Sequence, residues 1–329
     1  VMDSRDELMH EAATMYYLQD ATMETVARHL GMSRSGVSRL LKAARERGLV
    51  RIEVRAPDAG GTVARHIAAA FGVRVHVVPT RSPLTEDVRL DHVARYAAHL
   101  LQGWFADGMT LGLAWGTTVA AVSSHLEHTP LADAVVVQLN GAANTQSSGL
   151  AYGTDLVTQF ARAFDAAPQH FPVPAFFDYA ATRELMWRER SVRHVLAVQA
   201  RADLALFGVG ALVAPVPSHV YTSGYLEQSD QEALAADGVV GDVCTVFLRG
   251  NGSWEDIAIN QRATGPNPRQ LQAIHRRVCV VSGEAKVAPL LAALRAGAVT
   301  DLVIDDSTAA ALVRAGGGAS GRAVAGSRL

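Results

Sequence analysis

The chain has 329 residues, a length that suggests two domains of unequal size. Hydrophobic residues make up 49% and charged residues 19%, a composition that supports a large buried core and excludes disordered and fibrous chains. The net charge of −2 at pH 7 gives no overall attraction to nucleic acid or to an anionic membrane, so any such preference must be local.

The cysteines and the apolar stretches narrow the class of protein further. The two cysteines, Cys244 and Cys279, exclude a disulfide framework and a thiolate metal cage, and they fit the reducing cytoplasm. The longest nearly uncharged apolar stretch, residues 204–217, is too short to cross a bilayer. We therefore predict a cytoplasmic protein with no membrane partner.

Charge is distributed unevenly at the start of the chain. Residues 1–27 hold one basic and six acidic residues, whereas residues 28–55 hold eight basic and two acidic ones. This asymmetry predicts a small domain with one positive face, which would attract the phosphate backbone of duplex DNA. A solvated helix surface is the alternative that charge alone leaves open.

Three successive segments of this region carry apolar residues at helical spacing. The first segment contains Leu8, Met9, Ala12, Met15 and Tyr16. The second begins after the N-cap residue Thr22 and ends at Gly31, and the third begins after Ser33 and ends at Gly48. Two helices joined by a tight glycine turn predict a helix-turn-helix motif, whose second helix enters the major groove of DNA.

The spacing also predicts which side chains face the DNA. When the apolar positions of the third segment point inward, serine, arginine and lysine side chains point outward, and an alternating strand over 49–54 forms a wing. The predicted DNA contacts are Thr22, Ser33, Arg34, Ser35, Ser38, Arg39, Lys42 and Arg51. The alternative is a three-helix bundle that serves only dimer contacts.

Composition breaks predict the domain boundaries. Residues 57–62, PDAGGT, are typical of a linker. We therefore predict a DNA-binding domain over 1–56 and a larger effector-binding and oligomerisation domain over 63–315. The Gly-, Ala- and Ser-rich tail, residues 316–329, is predicted to be disordered.

In the larger domain, short apolar runs alternate with helical patterns. The predicted strands are residues 73–78, 111–114, 135–139, 204–209, 243–248, 278–281 and 302–304. The predicted helices between them are residues 91–104, 118–126, 154–164, 231–236, 284–294 and 308–314. Uninterrupted apolar runs are typical of strands buried on both faces, so the pattern predicts an α/β fold with a doubly wound, mostly parallel sheet.

Four loops that follow predicted strands carry groups suited to a small anionic or hydroxylated ligand, which in such sheets binds at the carboxyl ends of the strands. Glycines allow close backbone approach, hydroxyls and amides donate hydrogen bonds, and one ammonium can hold one phosphate. From the loops, the predicted contacts are Gly116, Thr117, Thr118, Asn140, Gly141, Gln146, Gly210 and Lys286. Taken alone, each loop could be an ordinary turn, because glycine and small polar residues are common in turns. The prediction therefore rests on the convergence of all four loops.

Motifs for cofactors and catalysis are incomplete. The Gly208-Val209-Gly210 sequence lacks the third glycine of a dinucleotide fingerprint, and a Walker lysine pattern is missing. His125 and His128 lack zinc-protease spacing, and no Gly-x-Ser-x-Gly elbow occurs. We therefore predict no catalytic residue, no metal and no cofactor. Lys286 leaves one alternative open, a Schiff base with a sugar aldehyde, although a phosphate ion pair requires no pKa shift.

The chain resembles the SorC family of bacterial sugar-binding transcriptional regulators over nearly its whole length. In the small domain the resemblance is carried by residues 22–45, TMETVARHLGMSRSGVSRLLKAAR, and 47–52, RGLVRI. In the larger domain it is carried by residues 115–118, WGTT; 138–141, QLNG; 238–242, GVVGD; 283–286, GEAK; and 301–305, DLVID, with Leu294, Thr308 and Ala309.

This resemblance implies an effector domain that is similar to sugar-phosphate isomerases and glucosamine-phosphate deaminases but acts as a sensor, usually of phosphorylated sugars, in dimers or tetramers. It implies phosphate contacts at Gly116, Thr117, Thr118 and Lys286, pocket positions at Asn140 and Gly141, and a contact from Asp242 to ligand hydroxyls. Two positions depart from the family pattern. Thr117 stands where a basic residue is frequent, and Met23 stands where glutamine is common.

We therefore predict a transcriptional repressor of carbohydrate-metabolism genes that is not an enzyme. It binds operator DNA as a homodimer or homotetramer, under the control of a phosphorylated sugar or polyol. A sugar-phosphate isomerase, deaminase or Schiff-base lyase with a helical appendage is the main alternative, and a sensor of unphosphorylated sugars or polyols is another.

Overall fold

The computed structural model describes residues 4–19, 21–50, 59–80, 84–144, 150–212, 218–222 and 224–320. The chain divides into two compact units, residues 1–56 and 57–329. The predicted wing lies outside the described residues except for Leu49 and Val50, and Arg51 and Gln146 lie outside them as well.

The first unit is helical. Its elements are α1 (Ser4–Ala13), a π-helical turn (Thr14–Leu18), α2 (Met23–His29) and α3 (Arg34–Glu46). Its core contains Met9, Ala12, Ala13, Val26, Ala27, Val37, Leu41 and Ala44, most of which are predicted inward positions. Leu8 is an exception to the predicted stripe, because 37% of it is exposed.

Side-chain caps start the two predicted helices of this unit. The Thr22 hydroxyl accepts a hydrogen bond from the Thr25 amide at 3.2 Å, and the Ser33 hydroxyl accepts one from the Gly36 amide at 3.1 Å. Such bonds satisfy first-turn amides that have no acceptor within the helix. Between the helices, Gly31 has a φ of 61°, a conformation that favours glycine, and this sharp turn lets α2 and α3 share one core.

The second unit is an α/β fold. Its helices are α4 (Ala59–Phe71), α5 (Glu86–Trp104), α6 (Thr117–Ser123), α7 (Leu150–Phe164), α8 (Ala180–Met186), α9 (Arg190–Gln199), α10 (His219–Thr222), α11 (Gln228–Ala236), α12 (Pro268–Gln272), α13 (Val287–Arg295) and α14 (Asp306–Ser320). Its strands are β1 (Arg74–Val78), β2 (Thr110–Leu113), β3 (Val135–Gln138), β4 (Ala167–Gln169), β5 (Leu204–Phe207), β6 (Gly210–Ala211), β7 (Val239–Val243), β8 (Val246–Arg249), β9 (Arg276–Val281) and β10 (Asp301–Asp305). Two 3-10 turns, Ala258–Gln261 and Glu284–Lys286, complete the described elements.

Seven strands form one sheet in the order β1-β10-β9-β5-β2-β3-β4, and every pairing in it is parallel. Alternate side chains of the central strands enter two separate cores. On one face, side chains such as Leu206 and Val280 pack with α5, α6 and α7, and on the other, side chains such as Phe207 and Cys279 pack with α13 and α14. Helices therefore cover both faces of this parallel sheet, as the uninterrupted apolar runs predict.

The predicted strand over 243–248 is wrong, because this segment contains a hairpin turn. Strands β7 and β8 pair antiparallel on either side of Cys244 and Thr245, whose φ values are 51° and 68°. Two successive positive φ values define the tight turn that usually contains Asn-Gly or Asp-Gly, so these two residues give no sequence signal for it. The hairpin joins β6 in a second, three-stranded antiparallel sheet.

Two boundary predictions are also wrong in part. The predicted linker over 57–62 overlaps α4, which begins at Ala59 because the apolar pattern that follows carries the helix back through Gly60 and Gly61. The predicted disordered tail begins too early, because α14 continues through Gly316 to Ser320. Residues 57–58 and 321–329 lie outside the described residues.

A buried carboxylate joins two strands at one end of the sheet. Asp301, at the start of β10, is fully buried and accepts hydrogen bonds from Arg74 Nε at 2.7 Å, Arg74 Nη2 at 2.6 Å and the Thr300 hydroxyl at 2.8 Å. Burial alone would raise the pKa of Asp301, but the hydrogen bonds and the charge of Arg74 outweigh it and hold the pKa well below its usual range.

We expect Asp301→Asn to lower the free energy of unfolding at pH 7 by about 1–3 kcal/mol, because the half-exposed Arg74 guanidinium loses the charge of its buried acceptor. The lowered pKa means that the carboxylate stabilises the fold fully above its unfolded pKa of about 3.9, and that this stability is lost as pH falls through the folded pKa. Urea denaturation at pH 7 and pH 3 measures both effects. The difference in free energy of unfolding between the wild type and the variant should be smaller at pH 3 than at pH 7. Equal stability at pH 7, or a matching loss in the exposed control Asp155→Asn, would contradict this role for Asp301.

Candidate functional site

A polar cleft opens where strands of the parallel sheet end. Loops after β2, β3, β5 and β9 and the β7–β8 turn contribute to it. It is lined by Ala114, Trp115, Gly116, Thr117, Thr118, Val119, Asn140, Gly208, Val209, Gly210, Ser218, Val220, Asp242, Cys244, Thr245 and Lys286. Strand ends converge there because parallel strands place all their carboxyl ends at one edge.

The structure brings together most of the predicted ligand contacts. Seven of them line the cleft: Gly116, Thr117, Thr118, Asn140, Gly210, Asp242 and Lys286. Gly141 does not line it. A Cβ at Gly141 would lie 2.2 Å from the carbonyl oxygen of Pro174, so this glycine is required for packing behind the cleft.

Lys286 supplies the cation of the cleft. Its Nζ donates to the Val209 carbonyl oxygen at 3.0 Å and to the Ser218 hydroxyl at 2.8 Å, which leaves one N–H for a ligand. Burial lowers the pKa of Lys286, although the negative charges of Asp242 and Glu86 oppose that shift. A partly desolvated ammonium of this kind binds an anion more strongly than one in water.

Asp242 lines the cleft and accepts hydrogen bonds from neutral donors. Its Oδ1 accepts a hydrogen bond from the Tyr221 hydroxyl at 3.1 Å, and its Oδ2 accepts one from the Thr245 amide at 3.1 Å. Burial raises the pKa of Asp242, and these hydrogen bonds together with the charge of Lys286 oppose the rise. The Tyr221 hydroxyl, also buried, has a pKa raised well above its usual value.

Glycine at position 210 makes room for this carboxylate. A Cβ there would lie 1.8 Å from Asp242 Oδ1, so every other residue would displace the side chain or the strand. The β6–β7 pairing places Gly210 directly opposite Asp242. The predicted Gly-Val-Gly loop therefore serves the close packing of Asp242 against β6.

The loop that carries Lys286 is fixed by a second buried carboxylate. Asp305 Oδ2 accepts hydrogen bonds from the Thr308 hydroxyl at 2.6 Å and from the Gly283 amide at 3.3 Å, and the Gly283 amide also lies 2.9 Å from that hydroxyl. Burial alone would raise the pKa of Asp305, but hydrogen bonds from Thr308, Ser307 and Gly283 lower it. An ionised Asp305 thus holds the turn that directs Lys286 into the cleft.

Trp115, which is not among the predicted ligand contacts, forms part of the cleft wall. Its indole Nε1 donates to the Gly141 carbonyl oxygen at 2.7 Å, and its ring stacks on Tyr225 with 5.1 Å between centroids. Ser218 and Thr245 are further lining residues that sequence reasoning missed. Ser218 precedes the short helix α10 and Thr245 lies in a hairpin turn, and neither position has a recognisable sequence signal, so only the tertiary structure identifies them.

The two histidines weighed as metal ligands each lie beside a carboxylate. His125 Nε2 lies 2.7 Å from Asp91 Oδ1, and His128 Nε2 lies 3.2 Å from Asp165 Oδ1. Within the described ranges, no group of three or more His, Cys, Asp or Glu side chains is arranged to hold a metal ion. Among the helices that the structure describes, none combines the length and apolarity needed to cross a bilayer.

The first unit presents a polar surface along α3. The exposed residues of this helix include Arg34, Ser35, Ser38, Arg39, Lys42 and Arg45. Lys42 Nζ lies 3.7 Å from Glu46 Oε1, and the Ser33 and Ser35 hydroxyls lie 2.9 Å apart. The predicted contacts Thr22 and Ser33 are exposed too, but their hydroxyls are engaged as helix caps.

Comparisons with known proteins assign the chain to a family. Residues 62–314 match the family described as "Putative sugar-binding domain". Among curated proteins, the chain is 31% identical to the deoxyribonucleoside regulator of Bacillus subtilis (strain 168), over 94% of this chain and 98% of that protein. It is 26% identical to the sorbitol operon regulator of Klebsiella pneumoniae, over 95% of this chain and 100% of that protein.

Solved structures agree with this assignment. A chain from Arthrobacter aurescens TC1, titled a domain of a "possible sugar-binding transcriptional regulator", is 46% identical, with a TM-score of 0.74, over 79% of this chain and all of that one. The full-length sorbitol operon regulator SorC from Klebsiella pneumoniae has the same fold, with a TM-score of 0.75 and 23% identity, over 95% of this chain and all of that one. The chain belongs to the SorC family of sugar-binding transcriptional regulators.

Proposed function

We propose that the protein is a DNA-binding repressor of carbohydrate-metabolism genes, and that a phosphorylated sugar or polyol bound in the cleft controls its affinity for operator DNA. The observation that carries the proposal is the cleft itself, where one desolvated ammonium and one buried carboxylate face a set of hydroxyl and amide groups. An anion and several hydroxyls on one small molecule match that set of groups.

Each part of the ligand has an assigned contact in this proposal. The phosphate binds Lys286 Nζ and the groups of Gly116, Thr117 and Thr118, where the first-turn amides of α6 have no acceptor within the helix. The sugar hydroxyls bind Asp242 and Asn140. Gly210 acts through its packing against Asp242, and Gln146 stays a predicted contact that lies outside the described residues.

The helices α2 and α3 form the proposed helix-turn-helix. Their shared core, the sharp turn at Gly31 and the outward arginine, serine and lysine side chains of α3 support this role. Arg34, Ser35, Ser38, Arg39 and Lys42 would reach base edges or nearby phosphates. Thr22 and Ser33 act mainly by fixing the helix starts, and Arg51 is a proposed phosphate contact.

Ligand must bind one arrangement of a dimer or tetramer better than another in order to change DNA binding, since only a difference in affinity shifts an equilibrium. We propose that, in the ligand-bound arrangement, the distance between the paired helix-turn-helix units does not match the operator. The protein then releases the operator, and repression is relieved. Operator DNA lies in the cytoplasm, and so, we propose, does this protein.

The lowered pKa of Lys286 is the observation that favours a second candidate, an isomerase, deaminase or Schiff-base lyase, because a neutral lysine is a nucleophile. The sensor remains our proposal. The test is a set of progress curves with a panel of pentose and hexose phosphates. We expect binding without conversion, and turnover that Lys286→Ala abolishes would favour the enzyme.

We expect Lys286→Gln to weaken binding of a sugar phosphate by about 10-fold to 100-fold, because a hydrogen bond to a charged group is worth roughly 1.5–3 kcal/mol. Thermal shifts with a sugar phosphate and with the same free sugar measure this loss, since a bound ligand raises apparent stability by mass action. The matched control is the exposed Arg314→Gln, which should bind as wild type does. Equal shifts for free sugar and phosphate would instead favour a sensor of unphosphorylated sugars.

Phosphate binding should also depend on pH. Affinity should rise between about pH 5 and 7 as the ligand phosphate reaches its dianionic form. It should fall again in the alkaline range, before the usual lysine pKa of about 10.4, because the lowered pKa of Lys286 removes its charge earlier. Lys286→Arg, if it binds, should lose the alkaline decline, because arginine stays charged. An alkaline decline that persists in Lys286→Arg would contradict the assignment.

In the first unit, we expect Arg39→Ala to cost roughly 1–3 kcal/mol of binding to the operator and to relax sequence preference, because this side chain would read a base. Arg51→Ala should weaken binding to every duplex and reduce the salt dependence by about one counterion, as the loss of a phosphate contact does. Mobility-shift titrations with operator and unrelated DNA at several salt concentrations separate the two effects. Identical losses for both variants on both DNAs would refute the division of roles.

A further inference from the structure

A second pocket of the larger unit lies apart from the cleft, between α8, α9 and the segment around α12. Its cavity volume is about 240 Å³. Its lining shares no residue with that of the cleft. Because α9 packs on Val137 of β3, this pocket is on the sheet face opposite α7, which packs on Val136.

Most of the pocket wall is apolar. Its apolar lining residues include Leu139, Leu196, Ile274 and Pro266. Two amides, Gln199 and Gln270, also line the pocket. The Gln199 Nε2 donates to the carbonyl oxygen of Gln138 at 2.8 Å, so the wall on the α9 side is tied to the end of β3.

Arg183 is the only charged residue of this lining, and its charge is poorly compensated. Its guanidinium carbon lies 4.8 Å from the centroid of the Trp187 ring, and its Nη1 donates one long hydrogen bond, 3.5 Å, to the Gln261 carbonyl oxygen. Its buried Nε has no acceptor among the described residues. Burial lowers the pKa of Arg183, and the charge of neighbouring Glu184 opposes the shift only in part.

The segments around the pocket are rich in positive charge, although the whole chain has a net charge of −2. Residues 183–201 and 262–277 together hold nine arginines and two glutamates. Two of these arginines pair with carboxylates elsewhere, Arg262 with Asp230 and Arg276 with Asp301. The positive charge that remains in excess in these segments favours the approach of an anion.

We propose that this second pocket binds a small organic anion, a carboxylate or phosphomonoester on a flat apolar body. The anionic group pairs with the Arg183 guanidinium and compensates a cation that is partly withdrawn from water. The apolar body packs on Leu139, Leu196 and Ile274, where its removal from water favours binding. Because none of these residues belongs to the cleft, the inference does not depend on the proposed function.

The test is a ligand-observed NMR titration of the full-length protein with benzoate, phenyl phosphate and neutral benzamide. We expect saturable binding of the two anions and none of benzamide. Arg183→Gln should weaken anion binding about 10-fold or more, as loss of a charge-assisted contact does. Ala200→Phe, which adds volume to an exposed lining position at the end of α9, should block binding without removing charge.

Two controls separate this site from general electrostatics and from the cleft. Arg201→Gln removes an exposed charge from the same region without touching the lining, and Lys286→Gln alters the cleft, so both should bind the anions as wild type does. Circular dichroism melts verify that each variant is folded. The proposal would be overturned if anion binding survived in both Arg183→Gln and Ala200→Phe, or if it fell as much in Arg201→Gln as in Arg183→Gln. It would also be overturned if anion binding disappeared in Lys286→Gln, or if the wild type were not saturated by about 10 mM anion.

Discussion

The parallel direction of all seven strands in the main sheet is the constraint on which the rest of the larger unit depends. Parallel pairing requires a crossover after each strand, and the crossovers place helices on both faces. It also brings every carboxyl end to one edge, so loops that are far apart in sequence meet there. The groups around Thr118 and Lys286 are 168 positions apart in sequence, yet they line one cleft for this reason.

The small antiparallel sheet of β6, β7 and β8 supplies the part of the cleft that contains Gly210 and Asp242. Strand β6 continues from the end of β5 and pairs with β7, which sets Gly210 against Asp242. The adjoining turn needs two non-glycine residues with positive φ, a conformation that costs free energy. Two contacts compensate this cost: the Asp242 carboxylate accepts from the Thr245 amide, and Gly265 lets its backbone lie directly against the Cys244 carbonyl. The carboxylate that faces the cleft is thus also part of the turn that builds it.

The two pockets of the larger unit are connected through shared segments of backbone. Leu139 lines the second pocket and the next residue, Asn140, lines the cleft. Thr264, at the second pocket, accepts a hydrogen bond from the Gly141 amide at 3.0 Å, and the Gly141 carbonyl accepts the Trp115 indole bond at the cleft. The segment from Leu139 to Gly141 therefore links the walls of the two pockets.

The sequence by itself determined the class of fold, the order of most elements and much of the cleft, because helical and strand periodicity are local properties and strand ends in a parallel sheet must converge. It did not reveal the hairpin turn at Cys244 and Thr245, the short edge strand β4 or the helix α4, which begins inside the predicted linker, since tertiary packing overrides weak local signals there. It also could not tell that Gly141 lies behind the cleft while Ser218 lines it. Only the tertiary structure decided those positions and the pKa shifts of Lys286 and Asp242, because burial and pairing arise when distant segments pack together.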